Sequence, residues 1–339
     1  MKVYLGAVGE NDQAGILQSH AAFSKNNESV ADPSAADVIL IFGASAREPQ
    51  RLLESGLYKA FPDRCAIYTE DDDFLPLLPG LYPNAQISEH TRIGRIFSYA
   101  HITRNGQLQN RFREETTSPI PIGMKTEKRY FFTFQGGSTS LVRKRLYNLK
   151  FNRSDVLIEN TSAYGHWDNS QPGRLEWQRR YAETLAASHF VLCPRGAGVG
   201  SSRFFEVMAA GVTPVLLSDD FALPPGPAWD RFLIQVRERD IARLPEILEP
   251  YLASAAERGR LARQAFDEYF SIEREFDRIV ELAAVSLRHA PPPEEHFRKR
   301  QAAMIRRFEW KRKARAGLRS AVLKALKALR LKNPYQMNR

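Results

Sequence analysis

A glycine-rich turn between two apolar runs is the part of the sequence best equipped for chemistry. It lies in VLCPRGAGVGSSRFFEVMAAGVTPVLLSDD, where the first apolar run predicts a buried strand. Gly196, Gly198 and Gly200 follow, and residues without side chains let a backbone turn sharply or approach a ligand closely. Ser201 or Ser202 then caps a helix whose first N–H groups lack intrahelical partners and attract an anion. The stretch therefore predicts an anion-binding site.

Charged side chains around the turn narrow the anion to a nucleoside diphosphate. Arg195 precedes the glycines and Arg203 lies in the first helical turn, and both can make charge-assisted, bidentate contacts with phosphate. Glu206 shares a helix face with Arg203, where a carboxylate can accept hydrogen bonds from ribose hydroxyls. Asp219, at the same edge, either contacts a sugar or caps the next turn. Two alternatives stay open: the turn serves packing alone, or Glu206 only pairs with Arg203.

Alternating strands and helices surround this turn and predict two α/β domains with parallel sheets. The predicted strands are VYLGAV, DVILIF and CAIYTE in the first half, and RYFFTFQ, DVLIE, HFVLC and VTPVLL in the second. A proline-rich stretch, TTSPIPIGMKTEK, predicts a linker between them. We expect an N-terminal domain over 1–122, a nucleotide-binding domain with trailing helices over 123–290, and a basic helical tail over 291–339.

Composition indicates a globular protein with a large core. The chain has 339 residues, of which 43% are hydrophobic and 26% charged. Two cysteines are too few for a disulfide framework or a zinc site. The sequence contains no apolar stretch long enough for a bilayer, and its first residues lack the features of a signal peptide. We therefore expect a cytoplasmic protein and exclude integral membrane and disulfide-stabilised secreted classes.

The positive charge is concentrated near the C-terminus. Residues 297–339 hold fifteen Lys or Arg and one acidic residue, so this segment carries a charge of +14. Since the net charge of the whole chain is +10, the remaining residues together carry −4. Leu318, Val322, Leu326 and Leu329 fall on one helical stripe. Basic amphipathic helices bind anionic membrane surfaces or protein partners. We expect peripheral binding at the inner face of a membrane through 296–332, with a plain solvated tail as the alternative, and no nucleic-acid partner.

Several motifs together resemble the exostosin-type glycosyltransferases (glycosyltransferase family 47). CPRGAGVGSSRFFEVMAAGVTPVLLSDDFALP is similar to the family's C-P-R-G…S-R…E…G…P-V…S-D…L-P series. YFFTFQGGSTSLVRKRL resembles its phenylalanine-rich strand, glycine turn and arginine-bearing helix, and RRYAETLAASHFVLCPRG resembles its tyrosine-and-serine approach to the motif. The resemblance is specific over 129–224 and looser before it. It implies a GT-B-like fold, in which two Rossmann-like domains face each other across a cleft.

The resemblance also implies roles for site residues. The resemblance implies sugar transfer with inversion of configuration, without an obligatory metal and without a cofactor. It also implies that the C-terminal domain holds most of the nucleotide sugar and the N-terminal domain most of the acceptor. Arg195, Ser202 and Arg203 would hold the diphosphate, and Glu206 would hold the ribose. Cationic side chains and helix N-termini can stabilise the leaving diphosphate as a metal otherwise would.

A second strand–turn–helix segment is expected to face the same cleft. Gly136 and Gly137 follow a predicted strand, and Arg143 lies in the helix after them. The resemblance makes Arg143 a candidate for stabilising the leaving group. The alternative is a surface arginine beside Lys144 and Arg145.

Inversion also requires a base that takes the proton of the acceptor hydroxyl. The acidic run TEDDD ends a predicted strand at the ligand edge, and clustered carboxylates raise one another's pKa. Asp71 and Asp73 are our candidates, ahead of Glu70 and His166, and the alternative is a solvated acidic loop.

These observations predict an inverting glycosyltransferase that moves a sugar from a nucleotide-diphosphate donor, a UDP-sugar, to a glycan or lipid-linked glycan in surface polysaccharide synthesis. Two alternatives remain: a nucleotide-binding α/β protein without transferase activity, and an NAD-dependent oxidoreductase. Against the oxidoreductase, GAGVG followed by serine lacks the G-x-G-x-x-G spacing of dinucleotide sites.

Overall fold

The computed structural model describes residues 1–9, 13–43, 45–88, 96–100, 127–163, 174–288 and 294–328. The predicted linker falls mostly outside these ranges, as does the boundary between the two predicted domains. The division of the chain into domains therefore stays a prediction.

A parallel sheet forms the N-terminal half. Its strands are β1 (Lys2–Val8), β2 (Glu28–Ser29), β3 (Val38–Gly43), β4 (Cys65–Tyr68), β5 (Gly80–Leu81) and β6 (Ile96–Phe97), in the spatial order β2-β1-β3-β4-β5-β6. The helices α1 (Gln13–His20), α2 (Pro49–Leu53) and α3 (Gly56–Ala60) lie between them in sequence. Every residue of β3 is buried, which explains its uninterrupted apolar sequence: a parallel sheet is covered on both faces.

The C-terminal half contains a second parallel sheet. Its strands are β7 (Tyr130–Gly136), β8 (Val156–Asn160), β9 (Ser188–Pro194), β10 (Thr213–Leu217) and β11 (Ile234–Gln235), in the order β11-β10-β9-β7-β8. The helices α4 (Leu141–Asn148), α5 (Arg174–Ala186), α6 (Ser202–Ala209) and α7 (Leu244–Leu248) connect or follow these strands. The strand order reverses between β7 and β9, and ligands of such sheets bind beyond the strand ends at this switch point.

Of the remaining described helices, the first packs against α6 and β10 of the C-terminal half, and the other two return to the N-terminal half. The three helices are α8 (Ala255–Tyr269), α9 (Ile272–Leu287) and α10 (Glu294–Ala328). In α9, Phe276, Ile279, Val280 and Ala283 are buried at helical spacing, and this helix packs against α1 and against β3, β4 and β5. A buried contact, His20 Nδ1 to Glu275 Oε2 at 2.8 Å, joins α1 to α9.

The start of α10 is also docked on the N-terminal half. Gln301 Nε2 donates to the carbonyl oxygen of Leu77 at 3.0 Å, and Ile305 is buried. Farther along the helix, the side chains of Trp310 and Leu318 are each 69% exposed. The two parallel sheets with their helices confirm the predicted α/β, GT-B-like fold.

Candidate donor-binding site

The site lies where β7 and β9 end side by side. These strands pair in parallel with Phe132 opposite Phe190 and Thr133 opposite Val191. Their buried aromatic and aliphatic side chains fix both strands in the core, so the loops after Gly136 and Pro194 leave the sheet at the same edge. The predicted glycine turn and the predicted second turn therefore meet at the switch point.

The first turn of α6 presents a buried hydroxyl to this edge. Ser201 has extended backbone angles, φ −147° and ψ 119°, and occupies the N-cap position without a capping bond from its side chain. Its Oγ is buried and has no hydrogen-bond partner within the described ranges. At the other end, Gly211 adopts φ +69° and its N–H donates to the carbonyl of Met208 at 3.0 Å, so a glycine in the left-handed conformation ends the helix.

Arg203 reaches from α6 to the end of β7. Its Nη2 donates to the backbone oxygen of Gln135, and its Cζ lies 4.9 Å from the centre of the Phe134 ring. The Nε atom is buried and unpartnered among the residues the structure describes, and so is the Oε1 atom of Gln135. A buried polar atom without a hydrogen bond costs about 1–3 kcal/mol. With Ser201 Oγ, three such atoms share this edge, which indicates a site shaped for a polar ligand.

A tyrosine holds the carboxylate predicted to contact ribose. Tyr181, from α5, donates from its Oη to Oε2 of Glu206 at 2.7 Å. Burial, reinforced by the charge of Glu206, raises the pKa of Tyr181 well above its usual value, so the phenol keeps its proton and remains a donor. Among the described residues, Glu206 forms no salt bridge with Arg203. The simple Arg203–Glu206 pair that the sequence also allowed is therefore absent.

Two arginines predicted to face the ligand are engaged with protein groups. Arg195 Nε lies 2.7 Å from Glu238 Oε1 in a salt bridge. Arg143 is buried, and its guanidinium donates to the carbonyls of Gly137 at 3.2 Å, Pro194 at 3.1 Å and Arg195 at 3.0 Å. Arg143 thus fastens the loops after β7 and β9 to each other. The geometry favours a positioning role over direct contact with a leaving group, and it excludes the surface alternative.

The predicted glycines and Asp219 differ in their surroundings. Gly137 has open space, since a Cβ there would find its nearest atoms at 3.9 Å, and at Gly196 the nearest atom would be 3.7 Å away. At Gly136, a Cβ would lie 3.1 Å from Arg203 Nη2. Asp219 Oδ1 accepts from the backbone N–H of Glu238, 19 residues farther along the chain, at 3.0 Å.

Gly198 and Gly200 contact the N-terminal half of the protein. A Cβ on Gly198 would lie 2.2 Å from Asn84 Oδ1 and 2.6 Å from the backbone oxygen of Asp72. A Cβ on Gly200 would lie 2.7 Å from the backbone oxygen of Pro83. From the sequence we expected a close approach to a ligand, but here the bare backbone is required by the approach of another part of the chain.

The acidic loop after β4 lies against this turn. Asp71 is buried, and its Oδ2 accepts from Ala46 N at 2.8 Å while Arg47 Nε lies 3.2 Å from Oδ1. Burial raises the pKa of the Asp71 carboxyl although these two groups oppose the shift. Asp73 is exposed.

The other two base candidates are less informative. Tyr68 Oη donates to Glu70 Oε1 at 3.2 Å. His166 lies outside the described residues. Of the candidate bases, Asp71 and Asp73 are the two whose loop lies against the glycine turn of residues 196–200.

Three site residues were missed by sequence reasoning. Gln135 is the penultimate residue of β7, and its place just before a glycine turn at the ligand edge is a usable signal. Tyr181 is the tyrosine of the RRYAETLAASHFVLCPRG stretch, but its bond to Glu206 was not predicted, and no local pattern marks Asn84.

The family relationship agrees with this geometry. The exostosin GT47 domain matches residues 91–250. Over this segment the chain is similar to the exostosin glycosyltransferases. The match covers β7 to β10 and the turns that form the site.

Curated relatives cover part of the chain. The Exostosin-1 homolog of Caenorhabditis elegans is 31% identical over 175 residues, which are 47% of this chain and 46% of that protein. Exostosin-1 of Drosophila melanogaster is 32% identical over 162 residues, 43% of this chain and 21% of that protein. The chain thus spans less than half the length of these exostosin relatives.

Solved structures give weaker similarities. An α1,3-fucosyltransferase with GDP-fucose aligns at a TM-score of 0.39 and 13% identity, covering 86% of this chain and 91% of that one. A UDP-N-acetylglucosamine 2-epimerase aligns at 0.37 and 14% identity, covering 86% and 98%. The fold assignment rests on the strand order and not on these scores.

The exostosin relationship corrects one prediction. Exostosin homologues are Golgi lumenal type II membrane proteins, so the predicted cytoplasmic location, at the inner face of a membrane, is wrong. That prediction used the first residues of this chain, but the matched segment covers only 21% of mouse Exostosin-1. The start of this chain therefore does not report on the compartment.

Within the described ranges, no helix combines the length and apolar character needed to cross a bilayer.

Proposed function

We propose that this exostosin-like chain is an inverting glycosyltransferase that moves a sugar from a UDP-sugar to a glycan or lipid-linked glycan acceptor in surface polysaccharide synthesis. The observation that carries the proposal is the group of buried polar atoms without described partners at the switch point: Ser201 Oγ, Arg203 Nε and Gln135 Oε1. A bound donor would supply the partners that these atoms lack.

The chemistry of these atoms favours a nucleotide over a simple anion. Ser201 Oγ and Arg203 Nε can donate to phosphate oxygens, and the N-terminus of α6 adds its N–H groups. Gln135 Oε1 can only accept, and so can the carboxylate of Glu206. A free phosphate dianion offers little to these acceptors, whereas the hydroxyls and base of a nucleoside diphosphate donate to them.

The leaving diphosphate is stabilised without any step through a metal. When the acceptor hydroxyl oxygen attacks the anomeric carbon, the bond from that carbon to the diphosphate oxygen breaks and its electron pair stays on the diphosphate. We place that oxygen beside Arg203 and the first turn of α6, whose N–H donors would then meet the growing charge already positioned. Arg143 supports them by holding the loops of Gly137 and Pro194 together.

Asp71 and Asp73 are the proposed bases on the acceptor side. The raised pKa of Asp71 suits general-base catalysis, because a stronger base takes the hydroxyl proton more readily. Asp73 is exposed, so it can reach a bound acceptor directly. The Asp71→Asn and Asp73→Asn variants separate the two: only the base variant should lose transfer while keeping UDP affinity.

The experiment that tests the function combines binding with product analysis. Calorimetry with UDP, GDP, CMP and NAD should show tightest binding of UDP, and transfer from UDP-sugars should give a product of inverted anomeric configuration by NMR. Tight UDP binding without transfer or donor hydrolysis would instead indicate a binding protein. Tighter binding of NAD than of UDP would indicate the oxidoreductase.

The outer part of α10 is a proposed membrane-binding surface. Lys311, Arg312, Lys313 and Arg315 are exposed, and Trp310 and Leu318 are exposed beside them. Basic residues near an anionic leaflet contribute about 1 kcal/mol each. Substituting the four basic residues by Glu should abolish binding to vesicles of phosphatidylcholine and phosphatidylglycerol. If binding to the vesicles survives this change, another part of the protein contacts the membrane. Gln301 and Ile305 are not substituted, because they pack against the N-terminal half.

A further inference from the structure

A single buried amide joins the two loops on which the proposed reaction depends. Asn84 follows β5 in the N-terminal half and its residue is 3% exposed. Its Oδ1 accepts from the backbone N–H of Gly200 at 2.8 Å, in the donor turn. Its Nδ2 donates to the backbone oxygen of Asp71 at 2.9 Å, in the acidic loop. One side chain thus bonds to both the donor side and the candidate base side.

The backbone beside Asn84 already connects the halves. Gln86 and Phe221 form an antiparallel bridge, and the N–H of Ala222 donates to the carbonyl of Ala85 at 2.9 Å. Ser88 adds a side-chain contact, since its N–H donates to Asp220 Oδ1 at 3.1 Å. The pairing keeps the halves together, so Asn84 is not needed merely to make them touch.

The chemistry of the contact requires an amide of this length. Gly200 N–H needs an acceptor and the Asp71 carbonyl needs a donor, and a side-chain amide presents these functions on two separate atoms of one rigid group. A carboxylate at position 84 would still accept from Gly200 but would place an oxygen against the Asp71 carbonyl. The space around the Asn84 side chain is also limited, because Gly198 lies so close that a Cβ added there would be 2.2 Å from Asn84 Oδ1.

We propose that Asn84 is a positioning residue for sugar transfer: its amide fixes the acidic loop 71–73 relative to the glycine turn 196–200, so that base, acceptor and donor stay aligned. This rests on the proposed glycosyltransferase function. Asn84 touches neither donor nor acceptor in this account. Its loss should therefore disturb the transfer step more than nucleotide affinity, because misplacement of about 1 Å can cost about a hundredfold in rate.

The test compares Asn84→Asp and Asn84→Ala with Ser88→Ala in the full chain. Ser88→Ala removes a hydroxyl contact across the same interface without touching either loop. For the Asn84 variants we expect kcat for transfer to fall about ten- to a hundredfold while the Kd for UDP changes less than about threefold. Ser88→Ala should keep both values. Asn84→Asp changes no volume, so it answers the question even if Asn84→Ala does not fold.

Hydrogen exchange supplies a readout that does not depend on turnover. Exchange in the peptides carrying 71–73 and 196–200 should accelerate together in Asn84→Asp and stay unchanged in Ser88→Ala. Wild-type kcat in Asn84→Asp, or a UDP affinity that falls as far as kcat does, would overturn the positioning role while leaving the transferase function intact. A wild-type chain that neither binds UDP nor transfers sugar would overturn the function itself, and this role with it.

Discussion

Tyr181 Oη donates a 2.7 Å hydrogen bond to Oε2 of Glu206 and thereby fixes a carboxylate of the proposed donor site. The two residues come from different helices, α5 and α6, and their contact restrains the Glu206 carboxylate. A carboxylate held in this way loses little conformational entropy when it binds a ribose hydroxyl.

Replacing Tyr181 by Phe should weaken UDP binding about tenfold, because a hydrogen bond to a charged group is worth about 1.5–3 kcal/mol and part of it orients Glu206. The loss should be much smaller for 2′-deoxy-UDP if the 2′-hydroxyl contacts Glu206. Calorimetry with both nucleotides checks this, with Tyr251→Phe as a control outside the site. If the substitution lowers the affinities for UDP and 2′-deoxy-UDP equally, Tyr181 has no role in recognising the ribose 2′-hydroxyl.

Arg203→Ala should reduce UDP affinity about ten- to a hundredfold, since it removes a charge-assisted donor from the diphosphate. Arg260→Ala is the matched control, because Arg260 is an exposed arginine paired only with Glu257 within the described chain. Thermal unfolding of both variants separates lost binding from lost folding. Wild-type affinity in a folded Arg203→Ala protein would remove Arg203 from the site.

Asp71→Asn should alter how stability depends on pH. Burial raises the pKa of Asp71 in the folded protein, so its contribution to stability is present at low pH and is lost as pH rises through that raised value. The Asn variant lacks this loss, so its unfolding free energy relative to wild type should increase between pH 4 and pH 8. Urea unfolding measures the difference, and an unfolding free energy of the Asn variant that falls relative to wild type as pH rises would contradict the assignment.

Glycine-to-alanine substitutions should separate packing from open space in the two turns. Gly198→Ala should destabilise the protein by about 1–3 kcal/mol, because its Cβ meets a backbone oxygen at 2.6 Å. Gly137→Ala should cost less than about 1 kcal/mol, since its nearest neighbours lie at 3.9 Å. Urea unfolding at one pH compares them. Equal stability of the two variants would show that Gly198 is not constrained by the N-terminal half.

The predicted strands follow from local sequence. Runs such as DVILIF and HFVLC form β3 and β9 because a strand buried on both faces needs continuous apolar residues, and that requirement is visible in five or six letters. The cap at Gly211 was equally predictable, since only a residue without a side chain takes φ +69° easily.

The roles of individual site residues depend on distant parts of the chain. The backbone N–H of Gly200 donates a hydrogen bond to Asn84, which lies 116 residues away in the sequence. Arg143 donates one to the carbonyl of Pro194, 51 residues away. Neither contact leaves a trace in local composition or spacing. For that reason the sequence indicated a candidate site but could not tell which of its glycines face the other half of the protein.

The most direct measurement is a crystal structure of the chain with UDP. The account predicts phosphate oxygens within hydrogen-bond distance of Ser201 Oγ and Arg203 Nε, and a ribose hydroxyl on Glu206. UDP bound elsewhere on the protein, or a site that stays empty at saturating UDP, would contradict it.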